Sequence, residues 1–335
     1  MNSVALTWLM STSPSPLNRV VDATRVTDQD AAGVRATSAM FAGLDNRFGG
    51  RHSRLAAVQY LDDQVTPLLR GSYQESTGRN LFTAASELAR CIGWMSYDNT
   101  EHDLARRYFL QALSFAKHAG DRELGASVLS ALSHQANLVG DAPEARDLAR
   151  AARHAARGSR SHTLQAQFAA MEARALASLG EREQCLRALG DAEAHFAKRD
   201  FIEDPPWISY FDSTELAAEA AHCRRDLGEY ARAADVLGQC ASWDEGYTRS
   251  NAFAGIVRVE SLLGADQLEE AAEVGGDVLS TCMDLASARI DIYLERLRCR
   301  LAPVSDSTAV ASFADALDLV MKHRATRWPG QPRPS

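Results

Sequence analysis

The sequence predicts an all-α fold, a right-handed superhelix of tetratricopeptide-like helical hairpins forming an α-solenoid, and three observations lead there. The turn Leu138, Val139, Gly140, Asp141 lies between two amphipathic runs and recurs as Leu179-Gly180, Leu227-Gly228 and Leu263-Gly264. A glycine that ends one helix just before the next begins is the punctuation of a helical hairpin. Small residues keep a register through the second run of each pair: Ala105, Ala145, Cys185, Ala233 and Ala271 are spaced 40, 40, 48 and 38 residues apart. Gly93, Ser133, Ala173, Ala221 and Val259 lie twelve positions before them, and Ala112, Ala152, Ala192, Cys240 and Val278 seven after. Antiparallel helices approach closely only where side chains are small, and a tetratricopeptide unit of about 34 residues buries its apolar face only against its neighbours. Composition agrees: 46% of residues are hydrophobic, only 10 are proline, and stretches of alternating Val, Ile and Thr are nearly absent, so no strand is required.

Taken in order, residues 1–28 carry the run Ser11, Thr12, Ser13, Pro14, Ser15, Pro16 and read as a flexible linker. The repeat domain is expected over 29–324. Its first helix carries Val34, Met40, Phe41 and Leu44; Gly49-Gly50 break it, and Leu55, Val58, Leu61, Val65 and Leu68 form the stripe of a second. The pairs then run 81–98 with 102–119, 124–139 with 143–157, 163–179 with 183–198, 215–227 with 230–240, 253–263 with 268–282, and 287–301 with 307–322. Pro143 fits the first turn of its helix, where its missing N–H has no partner to lose. Between Asp200 and Ser213 an aromatic, acidic insertion interrupts the rhythm and accounts for the longest step. Residues 325–335, with three prolines, read as a flexible tail.

The 36 basic and 44 acidic residues leave a net charge of -8, which speaks against a nucleic-acid-binding face across the whole chain. The six cysteines, Cys91, Cys185, Cys223, Cys240, Cys282 and Cys299, sit singly on helical patterns without metal-ligand spacing, and read as buried, reduced thiols. Val4 to Met10 is too short for a secretory signal and lacks a basic flank, and no apolar run reaches bilayer length. A cytoplasmic protein without membrane contact is expected.

In stacked hairpins the first helix of each pair lines the concave surface. The positions eleven before each small residue are Trp94, His134, Arg174, His222 and Glu260, and a parallel row includes Asp98 and Asp226. These seven are the expected ligand-binding groove, with Glu203, Asp204, Trp207 and Tyr210 of the insertion beside it and Glu215, Arg225 and Arg249 extending the same polar surface. Exposed helix positions are also charged simply because they are solvated. His134 and His222 stand two repeats apart, too far to share an ion, so no metal, no cofactor and no catalytic residue is expected; motifs for nucleotide binding, nucleophilic hydrolysis or zinc proteolysis are absent.

The wording of the chain adds to its period. Phe41-Ala-Gly-Leu-Asp-Asn-Arg-Phe-Gly-Gly50, Val65-Thr-Pro-Leu-Leu-Arg-Gly71, Gly93-Trp-Met-Ser-Tyr-Asp98, Ser133-His-Gln135, Met171-Glu-Ala-Arg174, Asp204-Pro-Pro-Trp207 and Ala221-His-Cys223 resemble the tetratricopeptide sensor region of Xre-type helix-turn-helix transcriptional regulators from antibiotic-producing bacteria. The resemblance implies a sensor that takes a ligand or partner and dimerises. Ala5-Leu-Thr-Trp-Leu9 looks like the connector after that family's DNA-binding domain, which is not part of this sequence, so direct nucleic-acid binding is not expected. The expectation is a regulatory module that takes a small molecule or peptide in its groove, with a homodimer or a DNA-binding protein as partner. A repeat scaffold recruited as a biosynthetic enzyme, or an adaptor for a DNA-binding partner, are the alternatives.

Overall fold

The computed structural model describes residues 8, 25–240, 245–302 and 307–328. The connector at 5–9, apart from Trp8, and most of the linker and tail expected at the two ends lie outside the described residues. The described residues are helical without a strand; an isolated bridge pairs Arg25 with Ser72. Packing divides the chain into two compact units, one of Met1–Leu44, Ser53–Tyr97 and Glu101–Tyr210, the other of Asp45–His52, Asp98–Thr100 and Phe211–Ser335.

Helix α1 (Asp28–Phe48) opens where Thr27 donates its N–H and its hydroxyl to the Asp30 carboxylate, each at 2.7 Å, so that the Thr27 N–H, which has no partner within the helix, is satisfied. The expected second helix is interrupted. Helix α2 (Arg54–Tyr60) passes through a π-turn (Leu61–Val65) into the short α3 (Thr66–Leu69). Pro67 has no N–H to continue the ladder, and Leu61 O accepts both the Thr66 N–H and, at 2.9 Å, the Thr66 hydroxyl.

Unit 1 contains the hairpins α4 (Glu75–Asp98) with α5 (His102–Ala119), α6 (Arg122–Leu138) with α7 (Ala142–Ala155), and α8 (His162–Ser178) with α9 (Arg182–Phe196). The small-residue register is their contact seam. Ala105, Ala145, Cys185, Ala112, Ala152 and Ala192 are all fully buried. A Cβ at Gly93 would lie 2.5 Å from the Phe109 ring, and the Ser133 hydroxyl donates to Ala145 O at 2.7 Å across the hairpin. Small side chains let the two backbones come within reach of such bonds. The turn at Gly140 is as expected, and side-chain caps add to the turns. Gly140 takes φ 90°, a conformation any L side chain resists, and the Asp121, Asp141 and Ser161 side chains accept the N–H three residues on, from Leu124 at 2.9 Å, Glu144 at 3.0 Å and Leu164 at 3.1 Å.

Unit 2 contains α10 (Ser213–Asp226) with α11 (Tyr230–Gly238), α12 (Thr248–Gly264) with α13 (Leu268–Cys282), and α14 (Ala288–Leu301) with α15 (Thr308–Arg327). Two expectations are corrected here. The left-handed residue after α12 is Asp266, at φ 61°, not Gly264; Gly264 is needed because a Cβ there would meet the Tyr230 ring at 2.5 Å. The last helix runs to Arg327, past the expected boundary at 324. Arg324 is 1% exposed and donates to the carbonyls of Cys282, Leu285 (2.8 Å) and Ser287 (2.8 Å) and to Asp291 Oδ1 (2.6 Å). It satisfies the last carbonyl of α13 and two carbonyls of the turn that leads to α14.

The cysteines divide. Cys91, Cys185, Cys223 and Cys282 are buried, and burial pushes the Cys282 thiol up to about 12; Cys240 is half-buried and Cys299 exposed, against the expectation for both.

Candidate functional site

The first helices α4, α6 and α8 lie side by side in unit 1, and the expected row reaches from one to the next. The indole of Trp94 meets the His134 ring edge-on at 5.4 Å and the rings of Tyr97 and Phe109 at 5.5 Å. Tyr97 is fully buried, and its hydroxyl shares a hydrogen bond with His134 Nδ1 at 2.9 Å. Arg174, on α8, is buried at 8% exposure.

One and two turns before this row the polar character continues. Arg90 and Ser130 lie four residues before Trp94 and His134, and Ser127 and Gln167 seven before His134 and Arg174. Arg90 Nη1 donates to Ser127 Oγ at 3.1 Å, and Gln167 Nε2 to Ser130 Oγ at 3.0 Å, so neighbouring first helices are stitched by side chains. Glu87, also on this face, has its carboxyl raised by burial, with Arg35 and Arg90 acting against the rise; Arg35 Nε stands 3.6 Å from it.

The insertion closes onto the same unit. Asp204 accepts from the Ser161 hydroxyl at 2.5 Å and the Thr163 hydroxyl at 2.6 Å at the start of α8, and Glu203 pairs with Arg160. A 3₁₀ turn (Pro206–Ile208) then sets the Trp207 ring under the Arg90 guanidinium, 5.1 Å from it. The segment therefore runs from the amino end of α8 to the middle of α4. Tyr210 is half-buried, whereas Phe201 and Ile202 are exposed at its tip.

The remaining expected residues belong to unit 2, and four of them, Asp98, Glu260, His222 and Arg249, are buried. Asp98 is fully buried: it accepts from Gly50 N at 2.9 Å, Ser287 Oγ at 2.8 Å and Arg289 Nε at 3.3 Å. Glu260 is 2% exposed, held by Arg225 at 2.7 Å with Arg300 at 3.7 Å. Both were expected on an open groove wall, and both instead neutralise buried arginines, since a buried cation is tolerated only with a partner. Arg249, expected to extend the polar surface, is likewise buried on Asp45. His222 is buried with the Tyr293 ring edge-on at 6.5 Å. Asp226 is exposed and engaged by Arg225 at 2.7 Å. Burial alone would lower the Arg225 guanidinium; Asp226 and Glu260 outweigh it and raise it.

Arg90, Ser127, Ser130 and Gln167 were not among the expected residues. Their signal was the helical period itself, which repeats the same face at i-4 and i-7. Among the described residues no three His, Cys, Asp or Glu side chains converge to hold a metal ion, and no helix is long and apolar enough to cross a membrane. The unit 1 face carries the buried Ser127, Ser130 and Gln167, the half-buried Arg90 and aromatic rings, side-chain types that also line ligand sites.

No protein-family model matches this sequence, nor does any curated protein. Among solved structures, the chain is similar to a Rap protein in complex with competence and sporulation factor, with a TM-score of 0.53 at 12% identity, over 88% of this chain and 99% of that one. The likeness shows the fold, an all-helical array of tetratricopeptide-like hairpins.

Proposed function

We propose that this chain is a regulatory binding module in which the first-helix face of unit 1 takes an extended peptide segment from a partner. The observation that supports it is the run of polar and aromatic side chains on α4, α6 and α8: Arg90, Trp94, Ser127, His134 and Gln167, closed on one side by Trp207. An extended peptide carries unpaired amides and carbonyls along its length, and hydroxyl and amide side chains spaced on successive helices match them, while the indoles supply apolar seats. The Rap structure, solved with competence and sporulation factor bound, is in keeping with a ligand on this fold. The resemblance to sensor regions of Xre-type regulators extends the reading to control of transcription in secondary metabolism, through a homodimer or a DNA-binding protein.

The test is selection from a displayed library of random seven-residue peptides on the whole protein, with a His134→Ala, Gln167→Ala double variant as the counter-target. Peptides enriched on the parent and weakened by about tenfold or more on the double variant support the reading. Absence of enrichment, or enrichment indifferent to the double variant, rejects it.

A further inference from the structure

Five arginines of low exposure illustrate the usual arrangement, a guanidinium against a carboxylate. Arg54 reaches Glu101 and Arg106 reaches Glu144, each at 2.8 Å; Arg225 reaches Glu260 at 2.7 Å, Arg258 reaches Glu270 at 2.9 Å and Arg289 reaches Asp98 at 3.3 Å. Arg90 departs from that pattern. It is half-buried, and among the described residues no carboxylate lies within ion-pair distance of it; its Nε is shut away from solvent without a hydrogen-bond partner, as are those of Arg54 and Arg258. Glu87, one turn back on α4, is 3.6 Å from Arg35 and feels the Arg90 charge from beyond ion-pair distance. The guanidinium is held by one neutral hydroxyl, Ser127, and by the Trp207 ring at 5.1 Å.

A guanidinium positioned on an indole and a hydroxyl keeps its planar fork in one orientation, and the energetic deficit of a half-buried cation is made good when an anion completes it. We infer that Arg90, Trp207 and Ser127 form an anion subsite that receives a carboxylate of the bound peptide. This rests on the peptide-binding reading above. One guanidinium and one hydroxyl suit a single negative charge; a phosphate dianion calls for further cations, and Glu87 stands close by as an opposing charge. Trp207 arrives on the insertion, so residues 200–212 supply the platform that orients the fork.

The carboxylate has two sources, an acidic side chain or the peptide's carboxyl terminus, and the test separates them. Peptides selected on the whole protein are synthesised with a free or an amidated carboxyl terminus and with each Asp or Glu exchanged for Asn or Gln. Titration calorimetry is then run against the parent, Arg90→Gln, and Ser127→Ala, a milder change that keeps the cation. One carboxylate is expected to stand out: neutralising it weakens binding to the parent by about tenfold or more and leaves Arg90→Gln unaffected, with Ser127→Ala in between. Selected peptides that bind the parent equally in acid and neutral forms, or that lose the same factor on Arg90→Gln, overturn the anion subsite while leaving peptide binding intact. A selection that yields no peptide removes both.

Discussion

Arg249 Nη1 donates to Asp45 Oδ1 at 2.6 Å, and both residues are buried within unit 2. Asp98 shares the site, 3.8 Å from the same guanidinium nitrogen, so two carboxylates and the guanidinia of Arg249 and Arg289 are enclosed together. Burial raises the Asp45 carboxyl to about 6 from its ordinary 3.8; Arg249 opposes the rise and Asp98 adds to it. In the window between those two values the folded chain holds a proton that the unfolded chain has released. The Asp45 contribution to stability is therefore complete below about 3.8 and is lost as pH rises through about 6. Chemical denaturation from pH 7 to pH 4 should show a stabilising component on acidification, up to about 3 kcal/mol at 1.36 kcal/mol per pKa unit. Asp45→Asn removes that component, and the parent and variant curves should differ in slope over this window. Parallel curves contradict the assignment.

Gly93 tests the seam between α4 and α5. A side chain there would run into Phe109, itself fully buried, so Gly93→Val should destabilise the protein by about 1–3 kcal/mol, the usual cost of overpacking. Adding Phe109→Leu should restore part of it. Urea midpoints that are unchanged in the single variant would mean the helices can separate freely.

Arg324 is buried against carbonyls of the turn between α13 and α14 and against Asp291. Arg324→Met leaves those acceptors without donors, and a loss of about 3 kcal/mol or more is expected. The check is a thermal or urea unfolding curve; a loss below about 1 kcal/mol would show that water replaces the guanidinium at little cost.

Ser161 and Asp204 bind the insertion to the start of α8 at 2.5 Å. A double-mutant cycle of Ser161→Ala and Asp204→Asn should return a coupling of about 1 kcal/mol, in the range for a charge-assisted hydrogen bond. Asp204→Asn alone should quicken proteolytic cleavage beside the exposed Phe201 and Ile202. Equal cleavage rates would show that the insertion is held by other contacts.

Much of the fold was legible because small residues cannot hide. Ala105, Ala145 and Cys185 mark the seam by their spacing, and the Gly-Asp turns mark the hairpin ends. Gly264 misled because two different demands select glycine, a left-handed backbone and a close approach, and only coordinates tell them apart. The face was legible in part. Counting from the small residues found Trp94 and His134, yet it placed Asp98 and Glu260 on an open wall, because a one-dimensional register does not reveal which arginine from a distant helix arrives to cover a carboxylate. Arg289 lies 191 positions from Asp98. Trp207 stood out by composition, whereas its partner Arg90 shows nothing unusual in sequence; the two meet only when the insertion folds back.

Hydrogen–deuterium exchange with and without a selected peptide tests the central claim most directly, because it reports which helices a ligand covers. Slowed exchange is expected on the peptides spanning α4, α6 and α8 and at residues 204–210, with α5, α7 and α9 unchanged. Protection confined to those second helices, or to unit 2, would contradict it.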